Sequence, residues 1–171
     1  MEYSVIAGSS EVPADHCLCL CKPVVIKGKS YTVDSKSYTV QIDGRNYLRI
    51  EVNDDSWNPF NKWVFWRGSF CLGTGDEIIV VDLETLEYRR YSVDWYFGYF
   101  LECGEMLLAA SASGVLAFDT KMDLLWRNED LAVDGVTFGD VSENVLDISC
   151  ELDPPGGWVD KRLDIRTGEE L

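Results

Sequence analysis

The chain has 171 residues, of which 46 % are hydrophobic and 12 % aromatic. This length fits one domain, or one domain with a small annex, and the composition excludes an intrinsically disordered chain because it supplies a real core. Thirty acidic residues oppose fifteen basic ones, and the formal net charge of −15 disfavours nucleic acids and anionic membranes as partners because the surface repels both. The charge instead attracts a basic protein partner; acidity that serves only solubility is the alternative.

The N-terminal residues 1–15, MEYSVIAGSSEVPAD, contain no basic segment followed by a long apolar one, so we expect no secretory signal. No apolar run reaches the length of about 18 residues that a membrane-spanning helix needs. The sequence therefore predicts a cytoplasmic protein. In that compartment cysteines are expected to be reduced thiols that pack as small hydrophobic residues. The six are Cys17, Cys19, Cys21, Cys71, Cys103 and Cys150.

The segment HCLCLCKPVVIK, residues 16–27, predicts a long apolar strand. Alternate residues of a strand share a face, so Cys17, Cys19 and Cys21 are expected on one side as buried thiols. Zinc sites usually take four ligands at turn spacing such as Cys-x-x-Cys, whereas these sulfurs would spread along a line. Zinc at the three cysteines stays an open alternative, and we expect no cofactor. His16 is the only histidine and has no histidine partner for a metal site.

Residues 1–60 predict an N-terminal β-meander with no helix of note. Apolar and polar residues alternate over 37–42 and 47–52, which is typical of half-buried strands, and the intervening DGRN is a hairpin signal. Further strands are expected at 2–8 and 31–33, with turns at 28–30 and 34–36.

Residues 53–61, NDDSWNPFN, interrupt the strand pattern because a central strand does not tolerate Pro59. We expect a loop that joins the meander to the rest of the chain. Asp54 and Asp55 offer too few oxygen ligands for a dedicated calcium site, so a solvated loop is the simpler interpretation. Trp57 between these acids and Asn58 also suits a contact surface.

Residues 61–171 predict three blade-like β repeats. The unit GVLAFDTKMDLLW at 114–126 reads strand, tight turn, strand, and it recurs as IIVVDLETLEY and VDKRLDIRTGEEL. The apolar runs end at Asp82, Asp119 and Asp164, at intervals of 37 and 45 residues. Periods near 40 with four short strands are typical of propeller blades. Each aspartate is expected to accept backbone N–H groups of its own turn, a structural role rather than a catalytic one.

The strands of these repeats are expected in three groups with a short last piece at the C-terminus. The segment GTGD at 73–76 is predicted to be a turn and not a phosphate loop, because a strand follows it. The predicted strands are 63–66, 69–72, 77–82 and 86–93; 96–102, 106–110, 115–118 and 124–127; and 135–138, 144–151 and 158–165.

The unit GVLAFDTKMDLLW resembles the blade signature of quinoprotein-type β-propellers, ALD-x-x-TG-x-x-x-W; LDIRTGEEL matches the turn more closely and VDLETLEYR more loosely. The signature glycine is present as Gly168, whereas Leu86 and Met122 replace it in the other copies. The resemblance implies an all-β antiparallel meander of propeller-like four-stranded blades, an open or partial propeller because three blades are few for a ring. A fourth unit from the N-terminal meander, or other subunits, would complete a ring. Quinone binding belongs to closed rings and is not carried over.

The segment CELDPPGGWVD, residues 150–160, predicts an unusual rigid turn, since proline restricts φ and glycine supplies positive φ. Glu151, Asp153 and Asp160 surround Trp158, which is expected either to cap the core or to form a presented acidic and aromatic knob. This segment with the following LDIRTG resembles the C-terminal end of small uncharacterised bacterial all-β proteins, some encoded near toxins. The resemblance implies an immunity-type protein.

These features together favour a non-enzymatic acidic binding protein, an immunity-type inhibitor of a basic toxin such as a nuclease. The alternative is a structural β module that self-associates through open strand edges into a homo-oligomer. An enzyme is disfavoured: thirty acids make carboxylate pairs by chance, and Cys17 faces away from His16 on a strand. The residues expected to contact the partner are Asp54, Asp55, Trp57, Asp94, Trp95, Tyr96, Asp153, Trp158 and Asp160.

Overall fold

The computed structural model describes residues 2–22, 24–26, 29–31, 34–53, 60 and 62–171. The chain is all-β: among the described residues the one helical element is a 3₁₀ turn at Ala14–His16. It divides into two compact units, Met1–Ser56 and Trp57–Leu171.

The first unit contains one four-stranded sheet and one two-stranded hairpin. Its strands are β1 Tyr3–Ala7, β2 Cys17–Cys19, β3 Val24–Ile26, β4 Lys29–Tyr31, β5 Ser35–Ile42 and β6 Arg45–Asn53. The sheet has the order β1-β5-β6-β2, and β3 pairs with β4. The predicted hairpin at Asp43 and Gly44 is confirmed, and both residues have positive φ, 49° and 73°, as a tight two-residue turn requires.

The first unit is not the simple meander that we predicted, because β1 pairs with β5 and β2 runs parallel to β6. The long strand expected over 16–27 is also wrong. Strand pairing with β6 covers Cys17–Cys19, and the Leu20 N–H still donates to Glu51 O at 2.8 Å. Lys22 then leaves the ladder and donates its N–H to the Asn53 side chain at 2.6 Å. Since β2 is a three-residue edge strand, Cys19 and Cys21 are exposed rather than buried.

Two predicted turns of this unit are misplaced. Lys29 and Ser30 lie in β4, and Ser35 and Lys36 begin β5, because strand pairing overrides the local turn preference of these polar residues. Of the strand predicted at 31–33, only Tyr31 is described, and it ends β4. The loop residues 54–59 and 61 lie outside the described residues.

The second unit contains three antiparallel sheets whose strands follow one another in chain order, which confirms the predicted repeats. The third sheet has three strands, and the predicted last piece forms only a bridge between Glu170 and Leu163. Gly73 and Thr74 continue a strand, so the turn predicted at 73–76 is confined to Gly75 and Asp76. The strands are β7 Lys62–Trp66, β8 Ser69–Thr74, β9 Glu77–Asp82 and β10 Tyr88–Ser92; β11 Phe97–Cys103, β12 Met106–Ser111, β13 Val115–Phe118 and β14 Leu124–Asn128; β15 Val136–Ser142, β16 Val145–Asp153 and β17 Gly157–Asp164.

The middle sheet of this unit is buried on both faces. Leu107 and Phe118 pack in one core with Ile78 of the first sheet, whereas Leu108 and Ala117 pack in another core with the third sheet. Successive residues of β12 and β13 therefore belong to different cores, as the two-residue period of a strand requires. The near-continuous apolar runs of these strands follow from this double burial.

The three aspartates that end the apolar runs have the predicted structural role. Asp82 Oδ1 accepts the backbone N–H groups of Glu84 and Thr85 at 2.9 and 2.8 Å, and Asp119 and Asp164 accept equivalent groups of their turns. The Arg166 guanidinium and the Arg166 backbone N–H lower the pKa of Asp164 to about 2. Hydrogen bonds to the ionised form therefore stabilise these turns.

Each turn contains one residue in the left-handed region: Leu86, Met122 and Gly168, with φ of 60°, 61° and 73°. At Met122 and Gly168 the carbonyl oxygen of this residue accepts a hydrogen bond from the outer strand of the preceding sheet. Tyr91 Oη donates to Met122 O at 2.6 Å, and Asn128 Nδ2 donates to Gly168 O at 2.7 Å. The same turn geometry thus joins successive sheets.

Substituting Gly168 tests this joint, because an added Cβ would lie 2.4 Å from the Trp126 ring and the φ of 73° disfavours any side chain. We expect Gly168→Ala to lower the free energy of unfolding by about 1–3 kcal/mol, the range for overpacking. Urea denaturation measures the change.

Leu86→Gly is the matched control. Leu86 occupies the equivalent position in the first sheet, its φ is positive, and its side chain is partly exposed, so glycine fits there without strain. It should change the free energy of unfolding by less than about 1 kcal/mol. A Gly168→Ala protein as stable as the wild type would contradict the role of Gly168 in joining the two sheets.

Candidate functional site

The structure places six of the nine predicted contact residues in the second unit: Asp94, Trp95, Tyr96, Asp153, Trp158 and Asp160. Asp54, Asp55 and Trp57 lie outside the described residues.

Among the described residues, Trp95 is the most exposed of the large hydrophobic side chains, at 73 %, and its φ of 62° is positive. The carbonyl of Asp94 accepts the N–H of Tyr96 at 2.8 Å, so Trp95 occupies the centre of a γ-turn. Backbone bonds hold both sides of this turn: Val93 N–H donates to Asp76 O, and Phe97 N–H to Gly75 O. The ring is thus presented to solvent from an anchored, strained backbone.

Tyr96 connects this turn to the loop before the third sheet. Its hydroxyl donates to the Asp134 carbonyl and carboxylate at 2.8 and 3.1 Å, and its ring stacks on Phe60 with 6.0 Å between centroids. Burial, the hydrogen bond to Asp134 and the negative charges of Asp134 and Glu151 raise the pKa of Tyr96 to about 12. Tyr96 therefore remains a neutral donor within an acidic environment.

Trp158 lies at the end of the same surface. It pairs across the sheet with Glu151, and its ring lies against Gly135, where an added Cβ would be 3.2 Å from the ring. The backbone of Glu151 exchanges hydrogen bonds with Val133 and Gly135, and its carboxylate accepts the Gly156 N–H at 2.5 Å. The turn at 153–157 thus abuts the loop that holds Tyr96.

We call these residues the acidic–aromatic surface: Asp94, Trp95, Tyr96, Asp134, Glu151, Asp153 and Trp158. Asp160 lies two residues beyond Trp158, on the same face of β17, where the Ser149 hydroxyl donates to its carboxylate. Sequence reasoning did not select Asp134, because only the tertiary contact between the 133–135 loop and Tyr96 brings it here. Its local signal, Asp134-Gly135, indicates only a turn.

The negative charge of the protein is concentrated in the second unit. Residues 57–171 contain nine basic and 22 acidic residues, a net charge of −13, whereas residues 1–56 contain six and eight, a net charge of −2. Arginine and lysine side chains pair with acids elsewhere, such as Glu77 with Arg90 at 2.5 Å. Among the ion pairs of the described residues, none includes a carboxylate of the acidic–aromatic surface or Asp160.

No three histidine, cysteine, aspartate or glutamate side chains within the described ranges form a group suited to a metal ion. Burial raises the pKa of the thiols of Cys71, Cys103 and Cys150, the last to about 11, so they are protonated and weakly nucleophilic at neutral pH. In the first unit, His16 Nδ1 lies 2.7 Å from the Tyr47 carbonyl oxygen.

No protein-family model matches the sequence, and a search among curated proteins finds no match. Two computationally designed proteins with crystal structures are similar to this chain. Ika8 has a TM-score of 0.53 at 16 % identity, covering 82 % of this chain and 46 % of Ika8. Ika4 has a TM-score of 0.49 at 17 % identity, covering 64 % of this chain and 68 % of Ika4. The chain spans about half of Ika8, and the likeness shows a propeller-like all-β fold alone.

No described helix is long and apolar enough to cross a bilayer.

The raised pKa of Tyr96 predicts a pH dependence of stability. The hydroxyl is a donor only when protonated, so its contribution is complete below the ordinary pKa of 10.0 and is lost as the pH rises through about 12. Tyr96→Phe lacks this contribution. We expect the stability difference between the two proteins to be constant up to about pH 10 and to shrink above it.

Urea denaturation between about pH 8 and pH 11.5 measures this difference. Tyr88→Phe, at an exposed tyrosine of β10, is the control and should parallel the wild type throughout. A gap that widens above pH 10 would contradict the neutral donor role of Tyr96.

Proposed function

We propose that this protein is a non-enzymatic acidic binding protein that captures a basic protein partner at the acidic–aromatic surface. Its proposed biological form is an immunity-type inhibitor that neutralises a basic toxin. The observation that carries the proposal is Trp95, whose large apolar ring is presented to water by a strained turn next to carboxylates that form no ion pair among the described residues.

Trp95 has little structural reason for its position. A non-glycine residue in a sparsely populated backbone region costs about 1–3 kcal/mol, and an exposed ring contributes little packing in return. Tryptophan is enriched among the residues that dominate binding energy, because it fills a partner's pocket with a large rigid ring. An anchored turn also lowers the entropy that the ring loses on binding.

The surrounding charges suit a cationic partner. Asp94 and Asp153 flank the two exposed tryptophans, and Asp134 lies between them through its bond to Tyr96. A surface of one sign accelerates encounter with an oppositely charged protein, and it loses this effect as salt rises. The two aromatic rings then prolong the bound state. Fast association through charge and slow dissociation through aromatic contacts are the properties expected of a tight inhibitor.

Self-association through stacked sheets is the less supported alternative. The outer face of the third sheet has Glu151, Asp160 and an ion pair between Asp147 and Arg162 where the middle sheet has apolar residues. A copy stacked on this face would desolvate carboxylates against a protein of the same charge. Terminal repeats with a polar outer face are typical of stacks that end there.

The test is capture of a partner from a lysate of the source cells by immobilised protein over a salt series. We expect one basic protein to bind at about 50 mM salt and to be released at about 500 mM, because screening removes the attraction. Purified partner then gives dissociation constants for the variants.

Trp95→Gly should weaken binding about tenfold or more, as loss of a tryptophan anchor does, while stability is unchanged or raised by up to about 1 kcal/mol. Leu125→Ala, at an exposed residue of β14, is the control and should bind like the wild type. Asp94→Asn with Asp153→Asn should slow association more than Glu84→Gln with Glu87→Gln, which removes equal charge elsewhere. Recovery of only copies of the protein itself would refute the proposal.

A further inference from the structure

The third sheet has a free strand edge where the first two sheets have a fourth strand. In those sheets β10 and β14 are the outer strands, beyond β9 and β13. In the third sheet β17 is the outer strand, and of the described residues only 169–171 lie along it: Asp164 N–H donates to Glu169 O at 2.8 Å, and Leu171 N–H donates to Arg162 O at 2.9 Å. Residues 169–171 therefore occupy only the first part of the position that a fourth strand would take, beside Arg162 and Asp164.

The remaining backbone groups of this edge point outward at alternate residues. Because Arg162 and Asp164 bond to residues 169–171, the alternation of an antiparallel ladder directs the N–H and C=O groups of Asp160 and Trp158 to the same side. No described residue bonds to them there. We call residues 157–161 the β17 edge.

We propose that the β17 edge binds an extended segment of the basic partner as a fourth, antiparallel strand of the third sheet. This inference rests on the proposed function and specifies how the partner is held. The strand would continue the ladder that Glu169 and Leu171 begin, and the exposed groups of Asp160 and Trp158 would supply the hydrogen bonds, as in strand addition to other sheet edges.

The side chains of the edge define the chemistry of that segment. Trp158 and Asp160 point to the polar face, so residues opposite them are expected to be arginine or lysine. Val159 points to the other face and is 46 % exposed, although its partner across the sheet, Cys150, is buried. A small apolar residue opposite Val159 would cover it. The expected segment therefore alternates cationic and apolar residues over about five positions.

A second copy of this chain does not fit the same edge. Two antiparallel β17 strands that pair about Asp160 would place the two Asp160 carboxylates opposite each other, and like charges directly opposite destabilise a sheet. The net charge of −13 on each second unit adds to this repulsion. The occupant that charge complementarity selects is a cationic strand.

The first test uses a synthetic peptide of about nine residues in which arginine and valine alternate, with blocked ends. Its matched control has the same side chains but carries N-methyl groups on the backbone amides that would face β17. We expect the parent peptide to bind at least about tenfold more tightly, because the control has lost its ladder donors. Hydrogen exchange should show the amides of Trp158 and Asp160 protected by the parent peptide alone. Equal binding of the two peptides, or no binding at millimolar concentration, would overturn the inference.

The second test compares Asp160→Pro with Asp160→Asn in binding the captured partner. Proline removes the outward N–H without breaking a bond to β16, as edge strands tolerate, whereas asparagine removes only the charge. We expect the proline variant to bind about tenfold more weakly than the asparagine variant. Equal affinities would overturn the inference.

The outcomes separate this inference from the proposed function. If Trp95→Gly weakens partner binding while the two Asp160 variants are equal, the acidic–aromatic surface binds the partner and the β17 edge does not. If the protein captures no basic partner and leaves the parent peptide free, both proposals fail. If the parent peptide binds and the N-methylated peptide does not, strand addition at the β17 edge is supported whether or not a partner is captured from the lysate.

Discussion

The second unit depends on the hydrogen-bonded turn that follows each long apolar strand. An aspartate carboxylate satisfies the backbone N–H groups of the turn, and at Met122 and Gly168 the left-handed residue turns its carbonyl toward the preceding sheet. Tyr91 and Asn128 donate to these carbonyls, so the geometry that closes a hairpin also sets the distance between sheets. Apolar burial then follows, because sheets held at this distance enclose two continuous cores.

The chemistry changes at the third sheet. Its inner face belongs to the second core, but its outer face has carboxylates and hydroxyls, so the stack of apolar faces ends in polar surface. The same sheet has three strands and a free edge. The free strand edge and the polar outer face thus lie together where the repeating unit stops.

The candidate site combines a rigid frame with local strain. Trp95 has a positive φ although it is large, and its turn is held by bonds to the neighbouring hairpin at Gly75 and Asp76. Such strain persists only where the surrounding structure over-determines the backbone. Tyr96, whose pKa is raised by burial and then by its acidic neighbours, connects this turn to the loop at Asp134. Side chains from two loops and from strands β16 and β17 therefore form one surface.

Short-range physics in the sequence determined the all-β class, the strands of the three repeats, the aspartate turns and the excess of negative charge. Each of these depends on neighbours within about ten residues, or on composition alone. Tertiary structure alone decided the parallel pairing of β2 with β6, the exposure of Cys19 and Cys21, the left-handed backbone of Trp95 and the contact of Tyr96 with Asp134. These features join residues that lie far apart in the chain, or reverse a local preference. Only the packing of the whole sheet supplies the free energy for them.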